Sequence, residues 1–109
     1  MTVSDTPLTP VVFHVLMAMA DGAEHGYAIG KAVEETSGVR MGPGTIYGAL
    51  QRLERDGLVR EADDDQESRR RPFILTAAGR QALEREAARL QRLAQLAAAR
   101  NLVPRTDEP

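Results

Sequence analysis

Residues 41–59, MGPGTIYGALQRLERDGLV, carry side chains suited to recognising a partner rather than to catalysis. Four apolar residues recur at helical spacing and are predicted to face a core: Ile46, Ala49, Leu50 and Leu53. The opposite face offers small residues, then hydrogen-bonding groups, then positive charge: Gly44, Thr45, Tyr47, Gly48, Gln51, Arg52 and Arg55. This face therefore differs from an ordinary solvated helix face, which displays mostly charged residues.

The chemistry of this outer face fits double-stranded DNA. Small residues let a helix approach a groove closely, whereas Gln and Arg pair with the edges of adenine and guanine. A solvated face is the alternative interpretation. However, a glycine inside a helix costs about 1 kcal/mol relative to Ala, which favours close approach to a partner. The residues of this face predicted to contact DNA are Gly44, Thr45, Tyr47, Gln51 and Arg52.

Caps and breakers predict the helices and strands that position this segment. Thr9 followed by Pro10 predicts the N-cap and first turn of a helix that runs to about Ala20. A second helix is predicted to begin near His25-Gly26 and to stop at Ser37-Gly38. The other predicted elements are a helix at about 43–56, strands at 58–62 and 73–75, and a helix that Thr76 caps and that ends near Arg100.

This order of elements is the pattern of a winged helix-turn-helix, because two closely spaced helices precede a two-stranded ribbon. The expected fold class is mainly α (α+β): a winged helix-turn-helix with a two-stranded β wing and a long C-terminal dimerisation helix. The expected organisation is a flexible N-terminus at 1–8, a DNA-binding domain at 9–75, the dimerisation helix at 76–100 and a tail at 101–109.

Composition excludes several classes of protein. The chain has 109 residues, enough for one domain, and a net charge of −2, so it is not a purely electrostatic DNA-coating protein. It has no Cys, which excludes disulfides and most structural zinc sites and fits the cytoplasm. Neither a signal peptide nor an apolar run of roughly 20 residues is present, so no membrane association is expected.

Motifs for catalysis or metal binding are missing from the sequence. His14 and His25, its two histidines, lie eleven positions apart and have no Cys partners, so metal binding is not expected. The acidic run 63–65 lacks the ligand alternation of a calcium loop. There is no phosphate-binding glycine loop and no nucleophile elbow. We therefore expect neither an enzyme nor a bound cofactor.

The last predicted helix carries an apolar stripe with heptad spacing. Its members are Leu83, Ala87, Leu90, Ala94 and Ala97, widened by Leu93 and Leu96, with Glu84, Arg85, Glu86, Arg89 and Arg92 as solvated flanks. Packing on its own domain is one alternative. A helix of about 25 residues is about 37 Å long, which exceeds what so small a domain covers, so dimerisation is favoured. The predicted interface residues are Phe13, Met17, Leu83, Ala87, Leu90, Leu93, Ala94 and Ala97.

Three segments together resemble the PadR-like transcriptional regulators: EHGYAI at 24–29, GPGTIYGALQRLERDGLV at 42–59 and RRRPFILTAAGRQAL at 69–83. The single C-terminal helix is similar to that of the small subgroup. The resemblance implies a dimeric repressor whose recognition helix uses the GTIY segment and its neighbour Gln51. It also implies backbone contacts from Tyr27 and Lys31, and wing contacts from Arg69, Arg70 and Arg71.

This chain departs from the pattern of that family in three places. Gly48 stands where the family often has Pro, and Pro72-Phe73 stands where aromatic pairs are common. The DDDQE segment at the wing tip should repel phosphate. Some small members hold flat hydrophobic effectors between their C-terminal helices. The last helix of this chain has no aromatic residue, so a small hydrophobic effector stays a possible partner without an assigned identity.

The sequence thus predicts a cytoplasmic, homodimeric, sequence-specific DNA-binding regulator, a repressor that binds a palindromic operator through the helix at 43–56. The alternative is a winged-helix module that binds another protein and not DNA. The net charge and the acidic wing tip support this alternative. A third possibility is a carrier that binds a small molecule between the two subunits of the dimer.

Overall fold

The computed structural model describes residues 7–62 and 72–104, and these form four helices and a two-stranded sheet. The elements are α1 (Pro10–Ala20), α2 (Gly26–Ser37), α3 (Pro43–Arg55), β1 (Val59–Glu61), β2 (Phe73–Leu75) and α4 (Ala77–Ala99). This is the order of a winged helix-turn-helix, so the predicted fold class is confirmed. Residues 63–71, which include Arg69, Arg70, Arg71 and the predicted wing tip, lie outside the described residues.

Threonine caps begin the first and last helices, as the sequence predicts. The Thr9 hydroxyl accepts a hydrogen bond from the backbone N–H of Val12 at 3.2 Å. The Thr76 hydroxyl accepts from the N–H of Gly79 at 3.0 Å and donates to the carbonyl of Gly57 at 2.7 Å. Each cap satisfies a first-turn N–H that has no partner within its helix. Thr76 also ties the start of α4 to the turn before β1.

One hydrophobic core lies between the helices and the sheet. The apolar stripe of α3 is buried as predicted: Ile46, Ala49, Leu50 and Leu53 are each at most 3% exposed. Residues from the other elements that complete this core include Val15 and Leu16 of α1, Ile29 and Val33 of α2, Val59 of β1, Phe73 of β2 and Leu83 of α4. The core fixes α3 by its inner face and leaves its outer face uncovered.

The two strands pair antiparallel, with Val59 opposite Leu75 and Glu61 opposite Phe73. Pro72 directly precedes β2, and its carbonyl accepts a hydrogen bond from the N–H of Ala62 at 2.9 Å, so the ladder continues one residue beyond the strands although proline donates no N–H there. On the other edge of β2, the N–H of Phe73 donates to the carbonyl of Glu24 at 2.8 Å. The wing is therefore attached to the segment that leads into α2.

A glycine brings the start of α4 against the wing. A Cβ atom on Gly79 would overlap the carbonyl oxygen of Leu58, so only glycine allows this close approach. At the other end of the chain, Leu8 packs against the core, and its N–H donates to the Glu86 carboxylate at 3.3 Å. Leu8 therefore belongs to the folded domain, although the sequence assigned it to a flexible N-terminus.

Candidate nucleic-acid interface

The outer face of α3 has the composition and the exposure expected of a DNA-binding surface. Gly44, Thr45, Tyr47, Gln51 and Arg52 are all exposed, whereas the apolar face of the same helix lies in the core. The helix begins at Pro43, so the smallest residues lie in its first turns and the cations in its last turn. The N-terminal end of α3, which would enter a DNA groove first, therefore has the smallest side chains.

Tyr47 lies at the junction between α3 and α2. Its side chain is 42% exposed, and its ring lies against Gly26, the first residue of α2. Within the parts of the chain that the structure describes, the Tyr47 hydroxyl has no hydrogen-bond partner. It is therefore available to donate to a phosphate oxygen or to a base edge.

Tyr27 and Lys31 of α2 extend this surface. They are four residues apart in one helix and so share a face. Tyr27 is 75% exposed and Lys31 is also exposed. Neither Lys31 nor Arg52 forms an ion pair within residues 7–62 and 72–104. Exposed cations without a carboxylate partner are suited to neutralising phosphates.

The predicted dimer stripe on α4 divides into a buried and an exposed part. Leu83 is only 8% exposed and belongs to the core of its own domain, which leaves little of its side chain for the predicted dimer interface. Farther along the helix, Leu90, Leu93 and Leu96 are 39–47% exposed. Ala87 and Ala94 are exposed, Ala97 is half-buried, and Phe13 and Met17 of α1 are partly buried against the core.

Glu86 is an ionised residue that sequence reasoning misplaced as a solvated flank. It is 5% exposed, and its carboxylate accepts hydrogen bonds from Arg89 Nε at 3.1 Å and Nη2 at 2.5 Å. These bonds, helped by the N–H of Leu8, hold the pKa of Glu86 below its usual value, although burial acts in the opposite direction. The sequence signal was available, because Glu86 lies three residues after Leu83 on the same helical face.

The two histidines lie in different parts of the fold and make different contacts. His14 Nδ1 lies 2.9 Å from the hydroxyl of Thr36, which joins α1 to α2 by a hydrogen bond. His25 precedes α2 without capping it through its side chain. No group of three metal-ligating side chains occurs among the described residues. In the same part of the chain, no helix combines the length and hydrophobicity needed to cross a membrane.

The model of the transcriptional regulator PadR-like family matches residues 15–85, which run from α1 to the first half of α4. The chain belongs to this family. The family consists of transcription regulators and not of enzymes, and its winged-helix fold is a DNA-binding fold.

Two relatives show how far the similarity extends. An uncharacterized 37.1 kDa protein in transposon TN4556 of Streptomyces fradiae is 57% identical over 79 residues, which make up 72% of this chain. The chain spans only 22% of that relative's length. The transcriptional regulator Rv3488 of Mycobacterium tuberculosis is 38% identical over 85 residues, 77% of this chain and 78% of that protein. The similarity to the second relative therefore includes most of both chains.

A solved structure supports the fold. The PadR family transcription regulator from Clostridium difficile superposes with a TM-score of 0.73 over 84% of this chain and 97% of that chain, at 23% identity. Among the PadR-type residues, the structure brings Tyr47, Gln51 and Arg52 of α3 and Tyr27 and Lys31 of α2 onto neighbouring helices. The structure also places Gly26 against the ring of Tyr47. The sequence did not indicate this contact, because it depends on how α2 packs on α3.

Proposed function

We propose that this PadR-like protein is a homodimeric transcriptional repressor that binds a palindromic operator through α3. The observation that carries the proposal is the division of α3 into two faces. One face is buried in the core, and the other exposes small residues together with Gln51 and Arg52. A rigidly held helix with an uncovered, hydrogen-bonding face is the arrangement that reads base edges in a major groove.

The rest of the predicted DNA-binding set extends this contact. Tyr27 and Lys31 would bind phosphates beside the groove, since α2 precedes α3 and its first turn is near Tyr47. Arg69, Arg70 and Arg71 remain proposed wing contacts on the strength of the sequence. Phosphate contacts set the position of a protein on DNA, whereas base contacts select the sequence. We therefore assign specificity to Thr45, Gln51 and Arg52.

The dimer is supported by the exposed part of α4. A helix of 23 residues is about 34 Å long. Its second half leaves three leucines 39–47% exposed, with Ala87 and Ala94 also exposed and Ala97 half-buried. Pairing with a second copy would bury this surface and bring two recognition helices into two-fold symmetry. Half-sites would then lie about one helical turn apart, or a multiple of it.

The dimer also defines where an effector would bind. A cleft between two α4 helices would be lined by Leu and Ala, because no aromatic residue occurs in this helix. We infer that any effector bound there is a small aliphatic molecule. A regulator of this kind acts in the cytoplasm, where bacterial operator DNA is found.

The proposal is tested by selecting genomic DNA fragments of the source organism with the purified protein at moderate and at high salt. The expected result is an enriched inverted repeat that is lost at high salt, because neutralising several phosphates makes affinity fall steeply with salt. A folded dimer that enriches no fragment at either salt concentration would contradict DNA binding and favour the protein-binding alternative.

The role of Tyr47 is tested on the selected operator. Tyr47→Ala should weaken binding at fixed salt by about 1–3 kcal/mol if the side chain makes a well-formed contact. Tyr47→Phe keeps the ring and removes only the hydroxyl, so it should also weaken binding if the hydroxyl makes the contact. Unchanged affinity in a folded Tyr47→Ala protein would remove Tyr47 from the interface.

A further inference from the structure

Gly26 leaves space that the ring of Tyr47 occupies. A Cβ atom built on Gly26 would lie 2.6 Å from Cζ, 2.7 Å from the hydroxyl oxygen and 2.9 Å from Cε2 of Tyr47. Real Cβ atoms essentially never come within 3.0 Å of another side chain. Any other amino acid at this position would therefore move the phenol ring away from its present place.

The backbone of Gly26 does not itself require glycine. Gly26 does not have a positive φ. Among the described residues, positive φ values occur at Gly22, Gly38, Gly57 and Asn101. Gly26 is the first residue of α2, where Ala would be favoured over glycine by its helix propensity. The property of Gly26 that matters is therefore the absence of a side chain beside Tyr47.

The contact concerns the end of a side chain and not the packing of two backbones. The three nearest atoms all belong to the phenol group of Tyr47. At Gly79, by contrast, the nearest atoms are those of the Leu58 carbonyl, so a substitution there must move backbone. A methyl group at position 26 can be accommodated by rotation of the Tyr47 side chain, with α2 and α3 left in place.

We propose that Gly26 is a positioning residue for DNA recognition, which holds the Tyr47 ring where the recognition surface needs it. The proposal rests on the function proposed above for Tyr47. The ring is held by packing against Gly26, since its hydroxyl has no hydrogen bond within the described residues. A side chain at position 26 would not contact DNA itself, but it would displace the Tyr47 ring, which is proposed to contact DNA.

The test is a double-mutant cycle on operator binding that uses Gly26→Ala, Tyr47→Ala and the double variant. Gly26→Ala should weaken binding by a factor in the range expected for Tyr47→Ala, about 5- to 150-fold. In the Tyr47→Ala background, Gly26→Ala should cause no further loss, because the ring that it displaces is absent. The ring resonances of Tyr47, measured by NMR without DNA, should shift in Gly26→Ala.

Gly30→Ala is the matched control. Gly30 lies one turn later in α2, and its added Cβ would be 3.5 Å from Cγ1 of Ile46, an ordinary contact distance. Gly30→Ala should therefore leave both the Tyr47 resonances and operator affinity unchanged. If Gly26→Ala does not fold but the double variant does, the ring cannot rotate away from the methyl group, Gly26 serves folding rather than ring placement, and the proposal is overturned. A double variant that also fails to fold would overturn it.

The remaining outcomes separate this proposal from the proposed function. If Tyr47→Ala weakens binding and Gly26→Ala does not, Gly26 has no positioning role, while DNA binding through Tyr47 stands. If Gly26→Ala weakens binding equally in both backgrounds, Gly26 acts independently of Tyr47 and the proposal is again overturned. If Tyr47→Ala binds normally, the role of Tyr47 and the role of Gly26 are both refuted.

Discussion

The two halves of α4 differ in how much of one helical face is buried. In the first half, Gly79, Ala82, Leu83 and Glu86 are buried against the same domain. In the second half, Leu90, Leu93 and Ala97 continue the same face at spacings of three and four residues, and both leucines are about two-fifths exposed. The apolar pattern is continuous along the helix, but the cover that the domain provides ends near Glu86.

This difference shows that a heptad pattern of apolar residues does not reveal whether the same chain or a second chain covers those residues. Along its first half the pattern is completed by α1 and β2, and the folding of one chain satisfies it. Along its second half the described residues leave the leucines 39–47% exposed, and we propose that a second copy covers them. The two halves should therefore respond differently to substitution: changes in the first half should affect folding, and changes in the second half should affect assembly.

The largest effect is expected from Leu90→Glu. Dimerisation through α4 would bury two new carboxylates, one from each subunit, and an unpaired buried ion costs several kcal/mol. The variant should be a folded monomer by light scattering at micromolar concentration. Ala88→Glu places the same charge on the opposite side of the helix and should stay dimeric. A Leu90→Glu protein that is still dimeric would contradict the proposed interface.

A smaller effect, on folding itself, is expected from Leu83→Ala. Removing this buried side chain should lower the free energy of unfolding by about 2–5 kcal/mol, because the core is left with a cavity. The comparison is made in the Leu90→Glu background so that dimerisation does not contribute. There, Leu93→Ala should change the free energy of unfolding by at most about 0.5 kcal/mol. Equal losses from Leu83→Ala and Leu93→Ala would show that both halves pack within one chain.

The smallest effect is expected at Glu86, where the buried face meets the exposed one. Because its pKa is lowered in the folded state, the unfolded state takes up the proton first as pH falls. Its contribution to stability is therefore present above the usual glutamate pKa and is lost as pH falls through the lowered value. Glu86→Gln should melt at a lower temperature than wild type near neutral pH, and the gap should close in acid. A gap that is constant with pH would exclude this ion pair as its cause.

Local signals in the sequence predicted most of the fold. Thr9 and Thr76 were identified as caps, and both accept the hydrogen bonds that a cap should accept. The inner face of α3 followed from the period of Ile46, Leu50 and Leu53. These features were predictable because caps and helical periods depend on residues a few positions apart.

The errors and omissions all involve contacts between distant parts of the chain. Leu83 fitted the heptad pattern equally well whether its partner was a second chain or α1. Glu86 was placed with the solvated flanks although it lies three residues after Leu83 on one helical face, and its hydrogen bond from Leu8, 78 residues away, gave no signal in the sequence. The Gly26–Tyr47 contact depends on how α2 packs on α3. Contacts between residues so far apart in the chain cannot be predicted from the spacing of residue types along the sequence.

The contact between Gly26 and Tyr47 also constrains how the family diverges. Two positions 21 residues apart cannot change independently, because a side chain at the first displaces the ring at the second. PadR-like relatives that carry a larger residue at the position of Gly26 should have a residue smaller than Tyr at the position of Tyr47. The residue types at these two positions should therefore covary among PadR-like proteins.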